Sequence, residues 1–157
     1  KWSFALQIYF LGSRFRQVQE IRESGKNIVQ DRTIYEDAHI FAENLYDMNL
    51  LSDRDFNNYS SVFNLMKSFV SAPDLLIYLK SDVPNLVKKI YKRGRDYEAT
   101  ISIEYLSKLN QKYEKWISTY NEGKLLVIEV DDLDFVERPE DFGYILERIE
   151  NQMHGLF

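Results

Sequence analysis

Two short, unbroken apolar runs constrain this chain most: Leu75-Leu76-Ile77-Tyr78-Leu79 and Leu125-Leu126-Val127-Ile128. Both are strand-length, and neither alternates with polar residues, the pattern of strands covered on both faces in a parallel sheet. Ile28-Val29 offers a third, shorter run. Helical periodicity fills the space between them. Phe4, Ile8, Leu11, Phe15, Val18 and Arg22 recur at steps of three and four over 2–23, and Gly25 supplies a left-handed stop. A second helix is expected over about 34–47. A polar linker at 52–55 precedes a third helix carrying Phe56, Tyr59, Phe63, Met66 and Val70, stopped at Ala72-Pro73 because a residue before proline is pushed out of the α region.

Ser81, Asp82 and Pro84 open a further helix that runs to about Tyr91. Another spans about 103–120 and is closed by Gly123; a last one spans about 140–153, after a polar loop from Asp131 to Pro139. Buried strands alternating with helices predict right-handed βαβ units: an α/β fold whose parallel sheet carries helices on both faces. Three strands make a thin sheet, and the chain opens at Lys1 inside an apolar-periodic pattern. The expectation is one domain over 1–157, incomplete at its N-terminus and lacking an N-terminal strand or strands.

Composition excludes several classes. The 157 residues are 45% hydrophobic and 29% charged, as in an ordinary globular domain. Zero cysteines remove disulfides and thiolate metal sites and fit a reducing, cytoplasmic setting. No apolar run approaches the ~18 residues of a membrane span. The net charge of −5 disfavours nucleic acid and acidic membranes as partners, so any basic cluster acts locally. The two histidines, His39 and His154, have no metal-ligand spacing around them, and the serines lie in no nucleophile elbow.

Ligands of parallel α/β sheets sit at the carboxyl ends of strands. Asp31-Arg32, Ser81-Asp82 and Asp131-Asp132 are all expected there. Arg32 offers a fixed fork of donors to a phosphate or hydroxyl, and Asp31 a carboxylate for Mg²⁺. Spacing alone leaves a structural ion pair equally open. Gln7 and Arg14, seven residues apart, share one stripe of the first helix, since the drift over a heptad is only about 20°. They could read the polar edge of a base or merely edge a solvated face. Lys88, Lys89, Lys92, Arg93 and Arg95, with Gly94 between the arginines and Glu98 beyond, resemble a mobile phosphate clamp over a lid at 88–104. A solvated basic helix end and an RNA-contacting patch are the competing readings. A phosphate-cradling loop, GxxxxGK[ST], is absent. Glycine precedes lysine only at Gly25-Lys26 and Gly123-Lys124, and Glu20 and Ser118 stand where the loop's first glycine belongs.

Taken together, WSFALQIYFLGSRFR at 2–16, QDRTIYEDAHIF at 30–41, IYKRGRDYEATISIEYL at 90–106 and LLVIEVDDLDF at 125–135 resemble the deoxynucleoside kinase family, in its bacterial deoxyadenosine/deoxyguanosine kinase branch. The resemblance implies a P-loop nucleoside/nucleotide kinase-like three-layer sandwich. It also implies Mg²⁺- and ATP-dependent phosphorylation of a deoxynucleoside 5′-hydroxyl, a purine one by preference, for nucleotide salvage. Asp31 would assist Mg²⁺, and Arg32 would contact the 5′-hydroxyl and the transferring phosphoryl. Gln7, Arg14 and Asp37 would read the base, with Phe41 stacking on it. Lys89, Arg93 and Arg95 would be the lid cations, Glu98 the 3′-hydroxyl ligand, and Asp131, Asp132, Leu133, Asp134 and Phe135 the loop bracketing the adenine of ATP.

A homodimer through the first and second helices is also implied. Asp31 replaces the glutamate of the animal enzymes, and Leu6 an aromatic that packs on the base there. The family's Walker A loop and its general-base glutamate would precede Lys1, so the stretch is expected to be inert alone. The alternatives are a thymidylate kinase-type monophosphate kinase and a non-catalytic nucleotide-binding subunit.

Overall fold

A computed structural model describes residues 2–95 and 101–155. The chain divides into two compact units, one of Lys1–Ser71 with Gln111–Trp116, the other of Ala72–Asn110 with Ile117–Phe157.

The first unit is helical. α1 (Ser3–Ser24) ends where Gly25 takes φ 61°, as its sequence requires. α2 (Ile34–Glu36) runs into a π-helical segment (Asp37–Ala42) and then α3 (Glu43–Asp47). α4 (Asp53–Lys67) begins at Ser52, whose hydroxyl accepts from the Asp55 N–H, with Asp53 and Asp55 in the first turn complementing the helix dipole. Leu11, Ile34, Ile40, Tyr59 and Phe63 form the buried interior with Trp116. Leu11, Ile34 and Ile40 are almost completely buried, and each such side chain contributes roughly 1.5–3 kcal/mol. Lys112 fastens the Gln111–Trp116 segment by bridging Asp47 at 2.6 Å and Glu43 at 3.3 Å.

The second unit holds a parallel pair, β1 (Leu76–Lys80) and β2 (Leu125–Glu129), in register from Leu76 opposite Leu125 to Lys80 opposite Glu129. Between them in sequence come α5 (Val83–Arg93) and α6 (Ile103–Ser118), the length of crossover a parallel pair needs. α7 (Pro139–His154) packs on β2, where Leu126, Ile128, Val130 and Ile145 form the core. α5 starts as expected: Asp82 accepts from the Asn85 N–H at 2.8 Å, Pro84 lies in the first turn, and Gly94 closes it at φ 65°.

Several expectations fail. Ile28-Val29 is no strand: no ladder among the described residues includes it, and Val29 is 96% exposed. Two apolar residues without ladder partners cannot satisfy their backbone groups as a strand. The described sheet therefore has two strands rather than three. β2 is buried on alternate positions, Leu126 and Ile128, while Val127 is partly exposed, so its apolar run overstated its burial. Ser52 to Asp55 is a cap and first helical turn rather than a linker, and Val70 lies beyond α4. α6 stops at Ser118, five residues before Gly123. Gly123 is instead small because an added Cβ would approach the Pro73 carbonyl oxygen to 3.2 Å. Among the described residues, no helix is long and apolar enough to cross a membrane.

Candidate active site

In the first unit, the local sequence around Asp31 builds a strained entry to a buried acidic segment. Arg32 takes φ 64°, a left-handed conformation that costs a non-glycine residue roughly 1–2 kcal/mol. Thr33 then caps α2. Its hydroxyl accepts from the Tyr35 N–H at 3.1 Å, while the Glu36 carboxylate accepts from the Thr33 N–H at 2.8 Å and bonds the Thr33 hydroxyl. This capping box fixes the first turn, and with it the point where Asp37 enters the interior. The Glu43 N–H reaches back to the Ala38 carbonyl, five residues earlier, so the helix carries a π turn over Asp37–Ala42. Such turns recur at functional sites because they shift side-chain directions by one position.

The shift places a charge indoors. Asp37 is 6% exposed and its Oδ2 has no hydrogen-bond partner among the described residues; Arg14 Nε lies 3.7 Å away, an ion pair too long to be a hydrogen bond. Burial pushes the Asp37 carboxyl up to about 6; Arg14 and Arg32 pull it down, and Glu36 pushes it up. Gln7 from α1 is equally buried, and its Oε1 also lacks a hydrogen-bond partner among the described residues. Buried polar atoms left unpaired cost about 1–3 kcal/mol each, and a native fold retains them where something else pairs with them. Phe41, at the end of the π segment, has the Arg32 guanidinium 4.6 Å over its ring. Arg14 on α1 and Asp37 on the π segment thus come together, Gln7 lies buried seven residues before Arg14 on α1, and Arg32 and Phe41 form a second pair.

In the second unit, the two strand ends meet as the topology requires. The Ser81 hydroxyl donates to Asp131 Oδ1 at 2.6 Å and the Asp82 N–H to the same oxygen at 3.1 Å. These bonds, the Ser81 bond foremost, hold the Asp131 carboxyl below the usual range. Lys89 donates to the Val130 carbonyl at 2.7 Å, and Lys92 to Asp134 Oδ2 at 2.9 Å. Asp134 in turn receives the Glu137 N–H and donates its own N–H to Asp141. Leu133 and Phe135 pack against the core of this unit, and Asp132 offers its carbonyl to Arg138 at 2.5 Å. Arg93 closes α5 and Arg95 follows its glycine cap; both are exposed. Gly94, the C-cap of α5, separates the two arginines. Glu98 lies outside the described residues.

A protein-family model described as deoxynucleoside kinase matches residues 1–154. The chain belongs to the deoxynucleoside kinase family. It is 38% identical over 156 residues to the deoxyadenosine/deoxycytidine kinase of Bacillus subtilis (strain 168), a match covering 98% of this chain and 72% of that relative. To the deoxyadenosine kinase of Dictyostelium discoideum it is 38% identical over 147 residues, covering 94% of this chain and 59% of the relative. The deoxyguanosine kinase of B. subtilis is 30% identical over 158 residues, at 96% and 73%. Among solved structures, deoxyadenosine kinase from M. mycoides with products dCMP and a flexible dCDP bound superposes with TM-score 0.78 at 30% identity, over 94% of this chain and 73% of that one. The same enzyme with bound dATP gives TM-score 0.78 at 31% identity, over 96% and 75%. The family resemblance read from the motifs is thus shown, and with it a nucleotide-binding transferase of the P-loop kinase fold.

Within this deoxynucleoside kinase, sequence reasoning missed two residues. Tyr59 on α4 was assigned to the core stripe, and it is 1% exposed, yet its hydroxyl has no hydrogen-bond partner among the described residues. Burial first, and the Asp37 charge second, raise its pKa far above the tyrosine range. The Tyr113 hydroxyl is pushed up to about 12, mainly by burial and next by the Glu36 carboxylate. The available signal was chemical: a tyrosine on a stripe otherwise filled by phenylalanine brings a hydroxyl that must be paired.

Proposed function

We propose that this deoxynucleoside kinase transfers the γ-phosphoryl of ATP to the 5′-hydroxyl of a deoxyadenosine- or deoxyguanosine-type substrate, with release of the deoxynucleoside monophosphate. The observation that carries the reading is the buried pair of Gln7 and Asp37, whose unpaired acceptors suit the donors on a base edge, with the half-buried Arg14 as a donor beside Asp37. Phe41 supplies an aromatic face for stacking. Arg32 neutralises charge on the transferring phosphoryl, a role for which a strained, fixed guanidinium beside the base set is well suited. Lys89, Arg93 and Arg95 are the lid cations in a lid over 88–104, Glu98 the sugar 3′-hydroxyl ligand, and Asp131 to Phe135 the adenine-side loop.

Mg²⁺ fits the residues present. Asp31 is exposed, a hard oxygen ligand open to a bound nucleotide. That suits an ion held mostly by substrate phosphates with one or two carboxylates. Bound there, it would neutralise phosphate charge.

The single-domain organisation over 1–157, the three-layer sandwich, a cytoplasmic location and a homodimer belong to the same proposal. Exposed Trp2, Leu6, Tyr9 and Phe10 on or beside α1 are consistent with a dimer face. Reading Gln7 as a base-edge contact is tested by Gln7→Ala in the full-length protein. KM for the preferred deoxynucleoside should rise with kcat little changed, and other nucleosides should be less affected. Equal effects on all nucleosides would remove Gln7 from the base site.

A further inference from the structure

The Arg14 guanidinium is held from two sides. Its Nε faces Asp37 Oδ2 at 3.7 Å, and its Nη1 donates to Gln17 Oε1 at 3.1 Å. The same Gln17 oxygen accepts from Gln30 Nε2, also at 3.1 Å. Arg14 Nη2 makes no hydrogen bond among the described residues. A flat group of fixed donors is thus engaged at two of its three nitrogens, with the third open to an acceptor.

The arginine dictates how both amides point. It carries donors and no acceptor, so the Gln17 atom facing it is the carbonyl oxygen, and the Gln30 atom facing that oxygen is its NH₂. A pair at i, i+3 is ordinary on a helix surface and contributes little to stability. Two features set this one apart. The Arg14 side chain turns inward, 25% exposed, toward an Asp37 side chain at 9%. Gln30, in turn, joins from outside α1, thirteen residues after Gln17 and directly before Asp31-Arg32. The contact to Asp37 attracts Arg14 but is too long to set the direction of its N–H groups. The bond to Gln17 has the length of a directional hydrogen bond.

We infer that Gln17 is a positioning residue for Arg14: its carbonyl fixes the plane of the guanidinium that pairs with Asp37, so that the plane is set before a deoxynucleoside arrives. Through Gln30 the same oxygen ties that plane to the segment that carries Asp31 and Arg32. This rests on the reading of Arg14 as a base contact. A long, flexible side chain loses rotamer freedom when it is ordered by a ligand, and a residue that orders it beforehand removes that cost from binding. Recognition of a planar base edge also needs the donors in one plane, which a freely turning guanidinium does not supply. Gln17 itself touches neither substrate nor phosphate in this account, so phosphoryl transfer does not use it.

The test is Gln17→Met and Gln17→Glu in the full-length enzyme, with Arg14→Met and Arg14→Met/Gln17→Met as the reference pair. The readouts are kcat, KM for the deoxynucleoside, KM for ATP, and thermal unfolding. Gln17 is exposed on α1, and methionine matches glutamine in length and helix propensity, so Gln17→Met should keep Tm within about 2 °C of wild type. Its KM for the preferred deoxynucleoside should rise about fivefold, with kcat within about twofold and KM for ATP unchanged. Gln17→Glu keeps an acceptor facing Arg14 and should hold the nucleoside KM within about twofold of wild type. On the Arg14→Met background, Gln17→Met should add nothing, because the group it positions is gone. A wild-type nucleoside KM in Gln17→Met, beside a raised one in Arg14→Met, would overturn the inference and leave the base reading of Arg14 standing. Gln17→Glu as impaired as Gln17→Met, or additive losses in the double variant, would also overturn it. So would a Gln17→Met protein with a clearly lowered Tm and equal losses toward both substrates, which would make Gln17 structural. If Arg14→Met leaves KM unchanged for every nucleoside, the base reading of Arg14 fails, and the role given to Gln17 fails with it.

Discussion

Replacing Asp37 by asparagine should stabilise the protein at neutral pH while impairing nucleoside binding. The carboxyl titrates at 3.8 in a solvated chain and is raised to about 6 in the fold, chiefly by burial. An acid whose folded pKa is raised holds its proton more tightly when folded. Its stability contribution is complete below its unfolded pKa and declines as pH rises through the folded value. A shift of about two pH units corresponds to about 3 kcal/mol, by which the buried charge burdens the fold near pH 7. Asparagine has the shape without the charge.

The assay is urea unfolding of wild type and Asp37→Asn at about pH 4 and about pH 7, followed by fluorescence. Trp116, 8% exposed, reports on this unit, whereas Trp2 is 76% exposed. Titration of other groups cancels between the two proteins. The gap in favour of asparagine should widen by about 2–3 kcal/mol from the acid to the neutral condition. A variant less stable than wild type at pH 7, or a gap independent of pH, would refute the reasoning: Arg14 would then neutralise the buried carboxylate fully.

Arg32→Ala should abolish most turnover with the fold retained, and Arg32→Gly should be equally inactive but more stable than the alanine variant by about 1 kcal/mol, since only glycine relaxes at φ 64°; an unfolded alanine variant would make Arg32 structural. Thr33→Ala should cost about 1–2 kcal/mol in chemical denaturation, because the α2 cap goes and the buried Glu36 loses a partner. The same substitution should raise KM for the nucleoside, since the cap sets where Asp37 enters.

The parts of this fold that were legible in the sequence were those decided locally. Asp82 and Pro84 marked the start of α5 correctly because caps act within one turn. The apolar runs at 75–79 and 125–128 located both strands to within one residue at each end, and Ser81 and Asp131 duly meet at their carboxyl ends. Ile28-Val29 misled because a strand is a property of a pair, and two apolar residues carry no record of a partner. The π turn at Asp37–Ala42 was hidden for a related reason: its extra residue is set by packing against α1 and α4. The roles of Gln7, Arg14 and Asp37 came through resemblance, but the burial of Gln7 and Asp37 did not. An acid at a helix start reads as solvated until the surrounding fold is known. Tyr59 went unnoticed because a tyrosine on an apolar stripe looks like any aromatic; only its unpaired hydroxyl separates it from phenylalanine.

The central claim is that Gln7, Arg14 and Asp37 receive the base of a deoxynucleoside whose 5′-hydroxyl is phosphorylated. The most direct measurement is a coupled phosphotransfer assay on the full-length protein with ATP and Mg²⁺, offering deoxynucleosides in parallel with their monophosphates, for wild type and Asp37→Asn. Wild type should phosphorylate deoxyadenosine or deoxyguanosine and leave monophosphates untouched, and Asp37→Asn should raise KM for the nucleoside far more than it lowers kcat. Turnover of monophosphates alone, or an Asp37→Asn enzyme with wild-type KM for every nucleoside, would contradict the account.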